Sequence, residues 1–417
     1  MQIGACSNGQ VPDTKGGVDM PRKTKTQTAP QPACIFDDRT KSDERGCLYA
    51  YRNNDAINET GADFRMIVGE RSNGKTYPTI TFDGLKRFID SGYTEAFGYV
   101  RRWAEDIKAN ATELFAGPVG NGWLKWYTKG EYNTVSYYRG KWYLAQRDDK
   151  GDIKRKCKTP VAYAFALSQA DHYKGADYPS IHTIIFDEFI PDGSGYIIRE
   201  WNCWQSVMST IIRRRTDIIV YMIANTISPN CPYFDAYGIS IDTMPKGSIA
   251  KYQYRGGGTL AIEYCNPTEG QDNVVQPADK YFVIDDNPGS MITRGDWELA
   301  DAPKLPRRLS HVGRTVFTFW IVTARGKYIQ GNIIETAGMS CVFFHDKTTP
   351  LKWRRDDYIY LSQWDPDLMD HPTVRVGFDR RRGVDKLILD MIRGNRAYYS
   401  NPVVADKVKF YIDSNTQ

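Results

Sequence analysis

Apolar positions fall in short runs separated by amphipathic stretches along most of the chain. FRMIVG is a continuous apolar run of strand length, followed by a helical pattern near Leu85 to Ser91. AFGYVRR and a helix from Trp103 to about Leu114 come next, so strands and helices alternate in the βαβ manner. WLKWYT, NTVSYYRG and KWYLAQ interrupt that order. Arg139-Gly140 supplies a turn between period-two strands there, which predicts an inserted β-hairpin. SIHTIIFDEFI is a continuous apolar run ending in two carboxylates, as expected of a strand covered on both faces in the middle of a sheet. REWNCWQSVMSTIIRRRTD places Trp201, Trp204, Met208 and Ile211 or Ile212 on one helical face and ends in Arg213, Arg214 and Arg215. A second buried strand, IIVYMIAN, follows at once.

The pattern divides the chain. Residues 1–47 are rich in Gly, Pro, Thr, Lys and Asp and read as a mobile tail; residues 48–247 form an α/β domain. Residues 248–303 loosen into YRGGGTL, CNPTEGQDN and DDNPGSM and read as a linker or small subdomain. Residues 304–417 form a second α/β domain. In it TVFTFWIVTARGKYIQGNII gives two strands around Arg325-Gly326, and GVDKLILDMIRG gives a helix.

Composition narrows the class. At 417 residues, with 41% hydrophobic and 13% aromatic residues, the chain is folded and large enough for two cores. The longest apolar stretch, IIVYMIA, is too short to cross a bilayer, so a soluble protein without membrane contact is expected. Eight cysteines without a CxxC pair suggest neither a zinc cluster nor a disulfide framework and fit a reducing cytoplasm. The net charge of +5 is unevenly spread. From Lys304 onward there are 19 Lys and Arg against 12 Asp and Glu, whereas residues 1–303 hold 36 against 38. The basic clusters PRRL, KWRR and DRRRG suit either a solvated face or a surface that tracks a phosphate backbone.

GERSNGKT, directly after FRMIV, satisfies G-x-x-x-x-G-K-[ST] through Gly69, Gly74, Lys75 and Thr76. Glycines let such a loop wrap with its N–H groups toward phosphate oxygens; Lys75 is the point charge and the Thr76 hydroxyl a Mg²⁺ ligand. The loop Gly69, Glu70, Arg71, Ser72, Asn73, Gly74, Lys75, Thr76 is therefore the candidate cradle for ATP. Asp187 and Glu188 close an apolar strand where one carboxylate holds Mg²⁺ and the second activates water. Asn225, ending IIVYMIAN, either senses the γ-phosphate or caps a turn before Ser228-Pro229. Arg213 to Arg215 either complement a helix C-terminus or supply an arginine finger to a neighbour.

GERSNGKTY, GYVRRW, IHTIIFDEFI, VMSTIIRRR and IANTISPNCPYF, in this order, resemble the DNA packaging ATPases of small tailed bacteriophages of the phi29 type. The resemblance covers about residues 60 to 240 well and the part from about Gly313 weakly. It implies an ASCE-type ATPase domain with a mainly parallel sheet, a linker and a smaller ribonuclease H-like domain, which the carboxylate-free run Thr315 to Thr323 predicts to be nuclease-inactive. It further implies a homomeric ring, typically a pentamer, on the prohead portal in the host cytoplasm, translocating double-stranded DNA, in several members with a packaging RNA. By the same resemblance Lys75, Thr76, Asp187 and Glu188 take the roles given above, Arg213 is the trans finger, Asn225 the γ-phosphate sensor, and Arg71 couples nucleotide state to motion. Ala104 stands where the family has a lysine, with Lys108 a turn later. A helicase or a large terminase with its own nuclease is the runner-up, although TVFTFWIVT has none of the carboxylates a two-metal nuclease needs. A nucleic-acid-binding structural protein with a vestigial loop is a third reading, opposed by the intact Lys75, Thr76, Asp187 and Glu188.

Overall fold

The computed structural model describes residues 53–265, 299 and 301–415, apart from 72–73, 192–194, 198, 324–327, 337, 348, 350–356 and 362–371. The expected tail over 1–47 and residues 266–298 of the expected linker lie outside the described residues.

Ten strands among the described residues form the first sheet. They are β1 (Phe64–Gly69), β2 (Ala96–Arg101), β3 (Thr134–Tyr138), β4 (Lys141–Arg147), β5 (Ile153–Lys156), β6 (Ala162–Ala166), β7 (Ile181–Asp187), β8 (Ile219–Asn225), β9 (Ser248–Gln253) and β10 (Thr259–Tyr264). Their order is β3-β4-β6-β2-β7-β8-β1-β10-β9, with β5 paired to β4. β8 lies between β1 and β7 and runs parallel to both. One strand thus separates the GERSNGKT strand from the acidic strand, the ASCE arrangement. β1, β2, β7 and β8 are buried almost throughout because apolar layers cover both faces. Ile67 and Phe97 enter one core and Met66 and Phe186 the other, following the two-residue alternation of a strand, with Phe88 and Trp204 joining the two cores from helices.

Three local expectations shift. The helical segment after GERSNGKT begins at Thr76, not near Leu85, running as Thr76–Pro78, a π-helical Thr79–Lys86 and Arg87–Asp90. Its threonines and Pro78 hide it from a propensity reading, yet proline in a first turn gives up no helical hydrogen bond. WLKWY is a helix, Trp123–Tyr127, whose ends stack ring on ring at 4.7 Å, the i, i+4 spacing that a strand cannot offer. Residues 248–264, expected in the linker, are strands of the first sheet: β10 pairs in parallel with β1, and Gly257 at φ +87 turns β9 into β10. The glycines of YRGGGTL mark a hairpin and not a domain boundary. The β3–β4 hairpin forms as expected, with Arg139 and Gly140 both at positive φ, 48° and 75°, the requirement of a type I′ turn.

The second sheet holds β11 (Arg314–Val322), β12 (Tyr328–Thr336), β13 (Met339–Asp346), β14 (Tyr358–Leu361), β15 (Val374–Val376) and β16 (Ala397–Tyr399). β13-β12-β11 are antiparallel, and β14 and β15 continue from β11 in parallel. By sequence rank the order is 3-2-1-4-5, the ribonuclease H-like arrangement, with β16 added beside β13. The helix Pro402–Asn415 reaches the first domain: Asp406 accepts from Ser228 Oγ at 2.7 Å and from Asn230 Nδ2, and Phe410 meets the Tyr196 ring edge-on. No helix among the described residues is long and apolar enough to cross a membrane.

Gly331, in the middle of β12, lies under the buried Phe319 ring, where an added Cβ would stand 2.2 Å from Cζ. Gly331→Ala is expected to destabilise the second domain by about 1–3 kcal/mol. A lowered denaturant midpoint with unchanged slope is the readout; an unchanged midpoint would mean that the ring yields freely.

Candidate active site

Parallel pairing brings the C-terminal ends of β1, β7 and β8 to one sheet edge, the usual ligand-binding edge of open α/β sheets. Gly69 is in register with Asn225, and Asp187 with Ile223. A cleft of about 400 Å³ opens there, within the range of small-molecule sites. Arg71, Gly74, Lys75 and Thr76 line one side, Asp187, Glu188 and Asn225 the other, with Tyr77 beside them. Gly69 and Glu70 do not line the cleft, but their carbonyls accept from Lys75. Ser72 and Asn73 lie outside the described residues.

Lys75 is 5% exposed, and its ammonium donates to the Glu70 carbonyl at 2.6 Å, the Asn225 Oδ1 at 3.1 Å and the Gly69 carbonyl at 3.2 Å. Three oxygens thus fix a charge that burial alone would penalise. Gly74 has φ +80, a conformation that glycine reaches without strain.

The acidic side is held by groups that the sequence reading missed. Arg101 closes β2 and donates from Nη2 to Glu188 Oε2 at 2.6 Å and from Nη1 to Asp187 Oδ2 at 3.5 Å. The buried Tyr99 hydroxyl donates to Asp187 Oδ2 at 3.1 Å. Arginine at the end of an otherwise apolar strand was the available signal, because such a charge needs a nearby partner. Burial raises the Glu188 carboxyl above its ordinary range; Arg101 opposes the rise and neighbouring Asp187 adds to it. The Tyr99 hydroxyl is pushed up by burial and the Asp187 charge, so it stays a donor.

Thr76 and Asp187 bring a hydroxyl and a carboxylate to the same cleft, the hard oxygen donors that Mg²⁺ takes. Arg213 to Arg215 do not line it. Arg213, at φ +54 where the helix Glu200–Ile212 ends, donates to the Ala176 carbonyl. Arg215 donates to the carbonyls of Tyr178, Pro179, Ile181 and Ile211. Arg213 and Arg214 are exposed.

The family described as Podovirus DNA encapsidation protein (Gp16) matches residues 150–248. The DNA packaging protein of Bacillus phage B103 is 30% identical over 195 residues, 45% of this chain and 51% of that protein. The chain thus spans about half the length of the curated relative it matches. In fold, it is similar to the Phi-28 gp11 DNA packaging motor, with a TM-score of 0.52 and 17% identity over 87% of this chain and 98% of that one. The bacteriophage Phi-29 viral genome packaging motor assembly gives a TM-score of 0.51 and 18% identity over 86% and 97%. These likenesses bear out the resemblance carried by the motifs and the α/β fold class.

The opposition of burial and Arg101 at Glu188 makes a titration diagnostic. The Glu188 carboxyl is expected to protonate above the ordinary 4.5, and higher still in Arg101→Gln, where the opposing charge is gone. Carboxyl ¹³C titrations, with Glu188→Gln to assign the signal, measure both. An Arg101→Gln midpoint no higher than that of the unsubstituted protein would show that the guanidinium does not control this group.

Proposed function

We propose that this chain is an ATP-driven viral genome packaging motor, a homomeric ring that hydrolyses ATP to translocate double-stranded DNA into a prohead. One observation carries the reading: Lys75, Thr76, Asp187, Glu188 and Asn225, from loops and strands as much as 150 positions apart, converge on one cleft. The likeness to the B103 packaging protein supports packaging as the work to which hydrolysis is coupled.

The surroundings of each residue support the part assigned to it. Lys75, desolvated and fixed, meets the β- and γ-phosphate oxygens, and Asn225 shares that ammonium and so stands where a γ-phosphate is felt. Arg71, on the cleft wall, is placed to carry nucleotide state into loop motion. Thr76 and Asp187 would hold Mg²⁺, which neutralises developing phosphate charge when bound. Glu188 takes the proton of the attacking water; its raised pKa makes it a stronger base than an ordinary carboxylate. Oε2 is the oxygen held by Arg101, so that ion pair competes with proton transfer to it.

Arg215 is committed to four carbonyls of its own chain; Arg213, exposed at the helix end, is assigned as the finger and would release the Ala176 carbonyl to reach a neighbouring subunit. That role needs a neighbouring subunit, because the finger serves a site other than its own, and a homomeric ring is the assembly that the resemblance implies. The portal and, as in several relatives of this type, a packaging RNA are the partners such a ring takes, attached transiently to the prohead in the host cytoplasm.

The second domain grips DNA without cutting it. Arg380, Arg381, Arg382, Lys386 and Arg393 are exposed for phosphate contact. β11 carries no carboxylate, and among the described residues no group of three or more His, Cys, Asp or Glu could hold a metal. The buried Asp385 is taken up by the Tyr360 hydroxyl at 2.8 Å, the Asp379 N–H at 2.9 Å and Arg375 at 3.1 Å. No observation favours the nuclease-bearing terminase alternative.

The two halves of the site are expected to fail differently. Lys75→Ala loses nucleotide binding, whereas Glu188→Gln binds ATP and turns it over about 10²–10⁴-fold more slowly. DNA-stimulated phosphate release and fluorescent-nucleotide binding separate the two, and a fully active Glu188→Gln would remove the base assignment.

The finger is tested by mixing. Arg213→Ala subunits should bind ATP yet hydrolyse it poorly, and adding Lys75→Ala subunits should restore part of the turnover at mixed interfaces. Absence of recovery at every ratio would place the arginine's action within its own subunit.

A further inference from the structure

Glu188 has φ +56, a left-handed backbone conformation that costs a residue with a Cβ roughly 1–2 kcal/mol, so something must hold it there. Arg102, the residue after β2, is 4% exposed and does not line the cleft. Its Nη1 donates to the Glu188 carbonyl at 3.1 Å and its Nη2 to the Phe189 carbonyl at 2.9 Å. The remaining edge of the guanidinium forms a fork with Glu200: Nε to Oε2 and Nη2 to Oε1, both 2.7 Å. Glu200 is 3% exposed and is itself fixed by the Tyr233 hydroxyl at 2.7 Å and the Ile197 N–H at 3.0 Å. The Tyr196 ring lies 5.2 Å from the guanidinium carbon. Burial opposes charge on Arg102, but the Glu200 carboxylate outweighs it and keeps the guanidinium charged.

A buried ion pair is a poor source of stability, since desolvation cancels most of the attraction. Its geometry here serves something else. Arg101 binds the Glu188 carboxylate while Arg102 binds the Glu188 backbone, so consecutive residues of one strand end grip the two ends of the same residue. We propose that Arg102 and Glu200 are a positioning pair, which fixes the left-handed turn at Glu188 and thereby aims its carboxylate into the cleft. Neither touches the reacting atoms. The proposal rests on the ATP-hydrolysing reading above.

The test uses the full chain. Arg102→Lys keeps the charge and loses the fork; kcat is expected to fall about 100-fold, as for a misplaced catalytic group, with KM for ATP and fluorescent-nucleotide affinity within about 3-fold. Tyr233→Phe removes one hydrogen bond to Glu200 and leaves the ion pair; a smaller fall in kcat, again without a change in nucleotide affinity, is expected from a variant that folds readily. The decisive measurement combines each change with Glu188→Gln. If the pair acts through Glu188, the double variants lose nothing beyond Glu188→Gln alone. Losses that multiply, a fall in nucleotide affinity matching the fall in turnover, or unchanged kcat in Arg102→Lys and Tyr233→Phe would overturn the proposal. Full activity of Glu188→Gln by itself would instead overturn the hydrolytic role of Glu188, and the pair would then have nothing to position.

Discussion

Strand β8 is hydrogen-bonded on both edges by parallel neighbours, and the active cleft depends on that constraint. Parallel pairing sends the ends of β1, β7 and β8 to the same edge, and their register sets Asn225 beside Gly69 and next to Lys75. Because side chains alternate across a sheet, a slip of one residue would carry Asn225 or Asp187 to the opposite face. The dense apolar packing of Met66, Phe186 and Trp204 on one side and Ile67 and Phe97 on the other holds the register. The hydrophobic cores thus determine where the charges can stand.

Those charges are arranged so that none is left alone in a low-dielectric setting. Lys75 is matched by two carbonyls and an amide oxygen, and Asp187 and Glu188 by Arg101 and Tyr99. On the proposed reading, nucleotide would be met by exchange of partners. Each group has to give up an existing contact to meet a substrate, and the strength of that contact sets how readily the site responds.

Much of this was legible in the sequence, and what was not has a physical reason. Continuous apolar runs revealed β1, β7 and β8, and the residues that close or follow them announced chemistry because carboxylates and lysines rarely sit at such positions without a task. Arg101 went unread because its partner lies 87 positions away and meets it through the pairing of β2 with β7, which no local pattern records. β9 and β10 were taken for linker because glycines dominate the turn between them, while the pairing of β10 with β1 comes from tertiary context. Expected roles of single site residues came from spacing and resemblance together; the ribonuclease H-like class of the second domain came from resemblance alone, and the 3-2-1-4-5 arrangement of its sheet matches it.

The helix Glu200–Ile212 joins two ends of this chemistry: its first residue holds Arg102, and Arg213 follows its last. Its thirteen residues make a rod about 20 Å long, in which one inserted or deleted residue rotates everything beyond it by about 100°. Substitutions on its outer face leave both ends in place, but a change of length cannot. Tolerance to substitution along its outer face and intolerance to insertion are thus two results of the same rod.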